Sequence, residues 1–348
     1  MTAAQTVEMI WGDPMIVASR VLRNVITAAH GKILYVGDYA SIESRATNWI
    51  AGEQWALDAY AAGTDMYKLN ASQIFGVPYD QIGKGTQRQV GKVAELALGY
   101  NGGIAAFATM AKGYDIDLET LPAFVLPGAN EAELEKARAT AKLYLSHAHG
   151  SMSVDAAMSC DLIKQRWRTG HPDVTRFWKM IHEASVEAVR DPSIVTEYRG
   201  VHFRKSGNFL CLQLPSRRIL YYYAPQIVTE MVQGVNEDGT TYQWEATKLI
   251  FMGVDSTTHQ WTRQDTYGGK LTENIVQALS RDLLANGMLN AERAGYEVVL
   301  SVHDEIVSET AEDFGSVEEF EKLICRLPHW ADGLPMAAEA WRGKRYRK

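Results

Sequence analysis

Hydrophobic positions recur along this chain with two periods, about 3.6 residues in some stretches and two in others. The helical period predicts a helix over residues 15–31, another over 41–52 and a third over 86–100. Most of residues 104–190 also has helical composition, whereas residues 32–37 form a short apolar run typical of a strand. The first half of the chain is therefore predicted to be mainly helical, with one early strand.

The second half begins with strand character. Residues 194–223 are rich in β-branched and aromatic side chains, and residues 226–267 are predicted to form a sheet insertion with a hairpin around Asn236-Glu-Asp-Gly239. A long helix over residues 272–293 then leads into residues 298–309. Apolar residues alternate there on both sides of a polar break, which predicts a strand, a tight turn and a second strand.

Composition limits the class of protein. The chain has 348 residues, of which 46% are hydrophobic and 22% charged, so a globular protein of two or three subdomains is expected. No apolar run has the length of a membrane span, and the first residues lack the features of a signal peptide. Three widely separated cysteines indicate neither a disulfide framework nor a zinc site, and a cytoplasmic location is expected.

The net charge of −7 argues against a protein that coats nucleic acid uniformly. It is compatible with an enzyme that has an acidic metal centre and a separate basic track. Basic residues do cluster, between positions 199 and 218 and again over residues 342–348. The second cluster is compatible either with a solvated tail or with a contact to nucleic acid.

Adjacent carboxylates interrupt the predicted hairpin of residues 298–309. His303, Asp304 and Glu305 would lie at its tip, where repulsion between two carboxylates is costly unless a cation is bound. Asp38 stands at the end of the early strand, directly before a predicted helix, and offers a second acid for the same cation. Solvated turn residues and a helix-capping aspartate are the alternatives for these positions.

The predicted helix over residues 86–100 has an unusual face. Arg88, Lys92, Leu96 and Tyr100 recur every four residues, which places two cations, an apolar side chain and a phenol on one side. This arrangement suits a phosphate chain along the helix, with an aromatic ring beyond it for a base or sugar. A chance pattern in a structural helix is the alternative.

A second set of cations lies among aromatic residues. Arg217 and Arg218 precede Tyr221-Tyr-Tyr223 in a predicted strand region. Cations interleaved with aromatic rings are typical of sites that bind a polynucleotide backbone and exposed bases. Aromatic residues of a buried strand are the alternative.

Three of these stretches together resemble the family A (DNA polymerase I-like) polymerases. Asp38-Tyr-Ala-Ser-Ile-Glu-Ser-Arg45 resembles motif A, Arg88-x3-Lys92-x3-Leu96-x3-Tyr100 resembles motif B, and Val302-His-Asp-Glu305 resembles motif C. The motifs occur in the family's order, and the resemblance covers nearly the whole chain. Phage-type members are the most similar, including residues 269–277 and the ending over residues 341–348.

The resemblance implies an α+β fold. A palm of antiparallel sheet and helices would be formed by residues 1–52, which carry motif A, and residues 194–348, which carry motif C. A mostly helical fingers subdomain with a helical insertion would occupy residues 53–193 and carry motif B. The implied activity is DNA-directed DNA synthesis, with primer-template DNA and dNTPs as substrates.

The resemblance also implies roles for the acidic residues. Asp38 and Asp304 would hold two Mg²⁺ ions, helped by the backbone carbonyl of Tyr39, and Glu305 would be an auxiliary catalytic residue. Magnesium prefers oxygen ligands, often one or two carboxylates plus substrate phosphates, which agrees with this set. His303 would meet the primer terminus. Primer and template contacts are also expected from Arg217 and Arg218.

Motif B and one residue of motif A would bind the nucleotide. The resemblance implies that Arg88 and Lys92 bind the triphosphate, with Lys92 as the acid for the departing pyrophosphate. Tyr100 would lie near the base and template, and Glu43 would exclude a ribose 2′-hydroxyl. Leu96 stands where many members have Phe or Tyr and contacts the sugar, so sugar discrimination is expected to differ. Asn101 replaces a usual glycine after the tyrosine.

Thirty-seven residues precede Asp38, too few for the thumb and proofreading exonuclease of full-length relatives. The chain is therefore expected to be the catalytic half of a split polymerase, with a second polypeptide that supplies those parts. A phage or prophage gene would place it in the cytoplasm of a bacterial host. The alternatives are a non-catalytic DNA-binding or assembly subunit and a single-subunit RNA polymerase, against which Glu43 argues.

Overall fold

The computed structural model describes residues 2–147 and 152–347. Contacts divide the chain into two compact units. Unit 1 consists of Met1–Ile42, Ser280–Asp332 and Met336–Lys348, and unit 2 consists of Glu43–Leu279 and Gly333–Pro335. Unit 2 thus includes residues 194–279, which were predicted from the sequence to belong to the second part of the palm. The assignment of palm and fingers itself stays a prediction.

Helices form most of unit 2 and flank the sheet of unit 1. Within the described residues the α-helices are α1 Ala3–Trp11, α2 Pro14–Val21, α3 Ile42–Ala51, α4 Gln54–Ala61, α5 Met66–Phe75, α6 Thr86–Leu98, α7 Ile104–Gly113, α8 Pro122–Val125, α9 Glu131–His147, α10 Val154–Gly170, α11 Pro172–Arg190, α12 Gly268–Arg293 and α13 Val317–Ile324. Single 3-10 turns cover Arg23–Val25, Tyr79–Gln81, Leu118–Thr120, Leu126–Gly128 and His329–Ala331.

The strands pair in antiparallel fashion into two sheets. They are β1 Lys32–Tyr39, β2 Thr196–Tyr198, β3 Val201–Ser206, β4 Phe209–Gln213, β5 Ile219–Val235, β6 Thr241–Val254, β7 Trp261–Thr266, β8 Glu297–Val302, β9 Glu305–Ala311 and β10 Ala338–Gly343. The order is β10-β1-β9-β8 in unit 1 and β2-β3-β4-β5-β6-β7 in unit 2. The predicted hairpins at 298–309 and around 236–239 are β8–β9 and β5–β6.

Strand β1 lies inside the sheet of unit 1 and is buried on both faces. Leu34 and Val36 pack on one face with Val307 of β9 and Tyr346. On the other face the Tyr35 ring lies 5.1 Å from the Tyr296 ring, measured between centroids. Residues from the C-terminal part of the chain therefore support the strand that carries Asp38.

The predicted helix over residues 15–31 was wrong in its extent. Helix α2 ends at Val21, and residues 26–28 are paired with residues 344–346 instead. The Ala28 N–H donates to the Lys344 carbonyl at 2.9 Å, and the Tyr346 N–H donates to the Ile26 carbonyl at 3.0 Å. These long-range hydrogen bonds need an extended backbone, which a local helical pattern does not reveal.

Helix α6 is packed closely against α5 in unit 2. A Cβ atom added to Gly91 would lie 2.1 Å from the Tyr67 carbonyl oxygen and 2.9 Å from the Ala71 nitrogen. The two helix backbones therefore touch at Gly91, where any larger side chain would force them apart. This contact fixes the helix that carries the motif B residues.

The sheet of unit 2 has one buried face and one exposed face. Phe203, Leu210, Leu212 and Tyr222 point to the buried side, where α11 packs against β2 to β5. Alternate residues of the same strands point to solvent. This two-sided pattern is typical of an antiparallel sheet that covers a core on one face only.

Candidate functional site

The structure brings Asp38 and Asp304 to adjacent strand ends in unit 1. Asp38 is the register partner of Glu305 across the β1–β9 pair, and the Tyr39 N–H donates to the Asp304 carbonyl at 3.2 Å. His303 and Asp304 form the two-residue turn between Val302 and Glu305, which are paired. Two aspartates that are 266 positions apart in sequence thus occupy neighbouring backbone positions, and both are partly exposed.

The donor set of this pair fits magnesium. Both groups offer carboxylate oxygens, and Mg²⁺ sites commonly combine one or two carboxylates with water and substrate phosphates. Among the residues that the structure describes, no cluster of three or more His, Cys, Asp or Glu side chains could hold a metal. The pair therefore matches a site that substrate completes, and does not match an all-protein metal cage.

The Glu305 side chain is held inside unit 1. Only 3% of the residue is exposed, and its carboxylate accepts hydrogen bonds from the Tyr346 hydroxyl and from Arg23 Nη1, the latter at 3.3 Å. The Arg23 guanidinium also lies over the Tyr346 ring, 5.4 Å from its centroid. Burial, together with the Glu305 carboxylate, raises the pKa of Tyr346 to about 12.

Arg23 and Tyr346 were not predicted from the sequence to belong to the site. Arg23 fell within a predicted helix, and Tyr346 within a basic ending that was compatible with a solvated tail. A tyrosine among basic residues was the only signal in that ending, and it did not indicate a partner. The structure shows instead that both ends of the chain supply hydrogen-bond donors to the motif C glutamate.

Tyr39 contributes to this site through its backbone alone. Its ring points to the opposite face of β1, where the buried hydroxyl donates to the Ile324 carbonyl at 2.7 Å. A Cβ at Gly287 of α12 would lie 2.0 Å from that hydroxyl, so a glycine is required there. The role of the Tyr39 carbonyl as a metal ligand stays a prediction, and the buried ring gives the backbone at this point a fixed position.

Helix α6 presents Arg88 and Lys92 on one face of unit 2. Arg88 Nε donates to Asp65 Oδ2 at 2.7 Å. The Lys92 ammonium lies 4.7 Å from the centroid of the Tyr114 ring and 5.8 Å from that of Tyr67. Aromatic faces attract a cation by their quadrupole, so the Tyr114 and Tyr67 rings hold the Lys92 ammonium on this side of α6.

Glu43, Leu96 and Tyr100 lie together in unit 2. The Tyr100 hydroxyl donates to Glu43 Oε2 at 3.1 Å, and all three residues line one small cavity. Burial, and after it the Glu43 carboxylate, raises the pKa of Tyr100 well above its usual value, so the phenol stays protonated. Leu96 is 39% exposed, which leaves its side chain open to a ligand.

Glu95, whose carboxylate is buried on α6, was also not predicted from the sequence to belong to the site. Glu95 accepts hydrogen bonds from Asn70 Nδ2 at 2.6 Å, from Trp167 Nε1 at 3.2 Å and from the Ser44 hydroxyl. Its donors come from α3, α5 and α10, so one side chain ties α6 to three other helices. In sequence it was a single glutamate between motif residues, with no sign of these partners.

The remaining predicted residues lie in turns. His303 has a φ of +53° in the β8–β9 turn, and Arg217 has a φ of +68° between β4 and β5, beside exposed Arg218. Asn101 has a φ of +61° and accepts a hydrogen bond from Arg168 Nη2 at 2.7 Å. Asparagine tolerates this left-handed conformation better than most residues, which explains why it can replace glycine there.

Known proteins resemble this chain in sequence and in fold. No family model matches the chain. The DNA polymerase of Bacillus phage SP02 is 32% identical over 345 residues, which cover 99% of this chain and 46% of that protein. DNA polymerase I of Pseudomonas aeruginosa is 30% identical over 106 residues, which cover 30% of this chain and 11% of that protein. The chain thus spans about half the length of the phage relative.

A solved polymerase structure also resembles this chain in its fold. The POL domain of Pol1 from M. smegmatis, in complex with DNA primer-template and dNTP, matches with a TM-score of 0.53 and 15% identity. The match covers 94% of this chain and 42% of that one. The predicted resemblance to phage-type, DNA polymerase I-like polymerases and the predicted α+β fold are therefore confirmed. In the part of the chain that the structure describes, no helix is both long and apolar enough to span a membrane.

Proposed function

We propose that this chain catalyses template-directed DNA synthesis in the cytoplasm of a bacterial host, by transferring a nucleotide from a dNTP to a primer 3′-hydroxyl. The observation that carries the proposal is the juxtaposition of Asp38 and Asp304 at adjacent strand ends. Similarity to a phage DNA polymerase along 99% of the chain supports it.

Asp38, Asp304 and the Tyr39 carbonyl would hold two Mg²⁺ ions. When bound, such ions lower the pKa of the attacking hydroxyl and stabilise charge on the triphosphate and on the leaving pyrophosphate. The protein's part is to keep two carboxylates side by side, which β1 and the β8–β9 turn do. Glu305, buried between Arg23 and Tyr346, would support the turn that carries Asp304.

Arg88 and Lys92 would bind the triphosphate. Lys92, held beside two aromatic faces, would donate a proton to the departing pyrophosphate. The Arg88 guanidinium is paired with Asp65, so a phosphate must share or replace that carboxylate. Nucleotide binding would therefore include an exchange of partners at Arg88.

The cavity lined by Glu43, Leu96 and Tyr100 would select the sugar. Because Tyr100 donates to Glu43, the carboxylate has a fixed orientation and would crowd out a 2′-hydroxyl. Leu96 offers less surface than an aromatic ring would at this position. His303, Arg217 and Arg218, in exposed turns, would contact primer and template.

Primer extension by Asp304→Asn tests the proposal. Loss of metal stabilisation worth several kcal/mol corresponds to a fall in rate of roughly a thousandfold. Asp313→Asn, which changes an exposed carboxylate just beyond β9, is the matched control and should extend primers normally. Wild-type rates from Asp304→Asn would overturn the proposal, and wild-type protein that binds primed DNA without extending it would favour a non-catalytic subunit.

We also propose that a second polypeptide carries the thumb and the proofreading exonuclease. The phage relative and the solved polymerase chain are each more than twice as long as the part that matches this chain. Products should be short with this chain alone and long when the product of a neighbouring gene is added. Long products from these 348 residues alone would contradict the proposal.

A further inference from the structure

Four aromatic rings form a continuous row on the exposed face of the sheet in unit 2. We call Tyr221, Phe209, Tyr223 and Trp261 the aromatic ladder. Successive ring centroids are 5.8, 5.2 and 6.1 Å apart. Exposure is 61% for Tyr221, 38% for Phe209, 37% for Tyr223 and 58% for Trp261.

The position of these rings is set by the pleat of the sheet. Phe209 of β4 is the register partner of Tyr223 in β5, and its sequence neighbour Leu210 points into the core. The ladder therefore lies on the face opposite α11 and makes no contribution to that core. Single exposed apolar residues are common, but a contiguous row is typical of an interaction surface.

Two arginines flank the ladder on the same face. Arg204 of β3 pairs with Cys211, which in turn pairs with Tyr221. Arg263 of β7 pairs with Met252, the register partner of Tyr223. Both guanidiniums are exposed, and neither forms an ion pair with any residue that the structure describes.

The carboxylates of this face are already engaged. Glu230 and Asp265 share Lys248, whose ammonium lies 2.7 Å from the first and 3.0 Å from the second. Glu197, on edge strand β2, accepts a hydrogen bond from the Gly200 N–H. In the register of the sheet, Arg204 and Arg263 lie nearer the rings than these carboxylates do.

We propose that the aromatic ladder is a stacking platform for single-stranded nucleic acid, and that it takes the unpaired template strand. The identity of the strand rests on the proposed function. Rings with adjacent cations bind bases and phosphates of single strands with little regard to sequence. Successive rings are edge-on or tilted, at interplanar angles of 81°, 56° and 45°, so bases would lie against their exposed sides and would not insert between them.

Binding of a fluorescent thymidine oligonucleotide tests the platform directly. Tyr221→Ala and Trp261→Ala should each weaken binding roughly tenfold, which corresponds to about 1.4 kcal/mol per ring. Tyr221→Phe keeps the ring and should bind as wild type does. Because both side chains are well exposed, the circular dichroism spectrum and melting temperature should not change.

Trp244→Ala is the matched control. Trp244 is 41% exposed and lies on the same sheet, but it is eight residues from Met252 along β6, a distance of about 27 Å. Its replacement should leave oligonucleotide binding unchanged. Equal losses for Trp244→Ala and Trp261→Ala would contradict a localised platform.

Salt dependence separates the role of the arginines from that of the rings. For a single strand, each neutralised phosphate contributes about 0.7 to the slope of log K against log salt. Arg204→Gln and Arg263→Gln should each lower that slope by about 0.7, whereas Trp261→Ala should weaken binding without a change of slope. Unchanged slopes in both arginine variants would overturn the assignment of phosphate contacts.

Primer extension distinguishes failure of this inference from failure of the proposed function. Tyr221→Ala/Trp261→Ala should extend primers normally on templates with a short unpaired strand and poorly on templates with a long one. Wild-type protein that binds the oligonucleotide through the ladder but extends no primer would refute the proposed polymerase function and leave the platform standing. A double variant that binds the oligonucleotide normally would refute the platform. A double variant that still binds the oligonucleotide but no longer binds a protein partner would refute the platform in favour of a protein interface.

Discussion

Tyr346→Phe is the substitution that tests most directly how the motif C glutamate is held. It removes one hydroxyl from a residue that is 1% exposed and leaves the ring in place. Glu305, itself buried, would then keep only the contact from Arg23 at 3.3 Å. The change therefore isolates a single hydrogen bond to a buried carboxylate.

The size of the effect follows from the lost hydrogen bond. Hydrogen bonds to charged groups typically contribute about 1.5–3 kcal/mol, so the free energy of unfolding should fall by about 2 kcal/mol. The pKa of Tyr346 is raised to about 12, mainly because burial disfavours the phenolate. This shift sets the pH dependence of stability and is not a measure of the hydrogen bond.

The pH dependence has a defined sign. Because the folded pKa lies above the unfolded one, the stabilisation is fully present below pH 10 and is lost as the pH rises towards 12. Urea unfolding of wild type and Tyr346→Phe should therefore differ most at neutral pH. Above pH 10 the difference should shrink, since wild type alone loses this contribution.

Tyr242→Phe is the control, because its ring is 43% exposed and stacks on Trp244. It should unfold as wild type does at every pH. Identical urea midpoints for Tyr346→Phe and wild type at neutral pH would refute the reasoning. A second readout is primer extension, which should fall for Tyr346→Phe, but by much less than for Asp304→Asn.

Three further substitutions test unit 2. Asp65→Asn keeps the side-chain oxygen that caps α5 but frees Arg88, so the KM for dNTP should fall severalfold in steady-state kinetics; an unchanged KM would contradict the partner exchange. Gly91→Ala forces a Cβ against the Tyr67 carbonyl and should lower the free energy of unfolding by about 1–3 kcal/mol, measured in urea. Glu43→Ala should raise ribonucleotide relative to deoxyribonucleotide incorporation, and an unchanged ratio would argue against a sugar gate.

The sequence predicted local elements well. The β8–β9 hairpin was visible because alternation and the polar break at His303-Asp304-Glu305 are properties of neighbouring residues. The face of α6 was visible for the same reason, since Arg88 and Lys92 are one turn apart. The residues alone offered Asp38 as a candidate partner of that hairpin, and the family resemblance was needed to choose it, because no local pattern specifies contacts across 266 positions.

Contacts between residues far apart in sequence explain which features were not predicted. Nothing near Glu305 in sequence indicated that Arg23 and Tyr346 would donate to its carboxylate. The helix predicted over residues 15–31 was too long for a related reason. Its pattern is locally helical, but backbone pairing of residues 26–28 with residues 344–346 ends it. Partners from opposite ends of a chain are set by tertiary packing, which a single sequence does not record.

The backbone contact at Gly91 has a mechanical consequence. With the Tyr67 carbonyl directly against α6, this helix cannot slide or rotate relative to α5 without a clash. The hydrogen bond from Asn70 to the buried Glu95 carboxylate joins the same two helices at a further point. Any displacement of α6 on nucleotide binding must therefore carry α5 with it. A spectroscopic label on the outer surface of α5 would report that motion without touching α6, the helix proposed to bind the triphosphate.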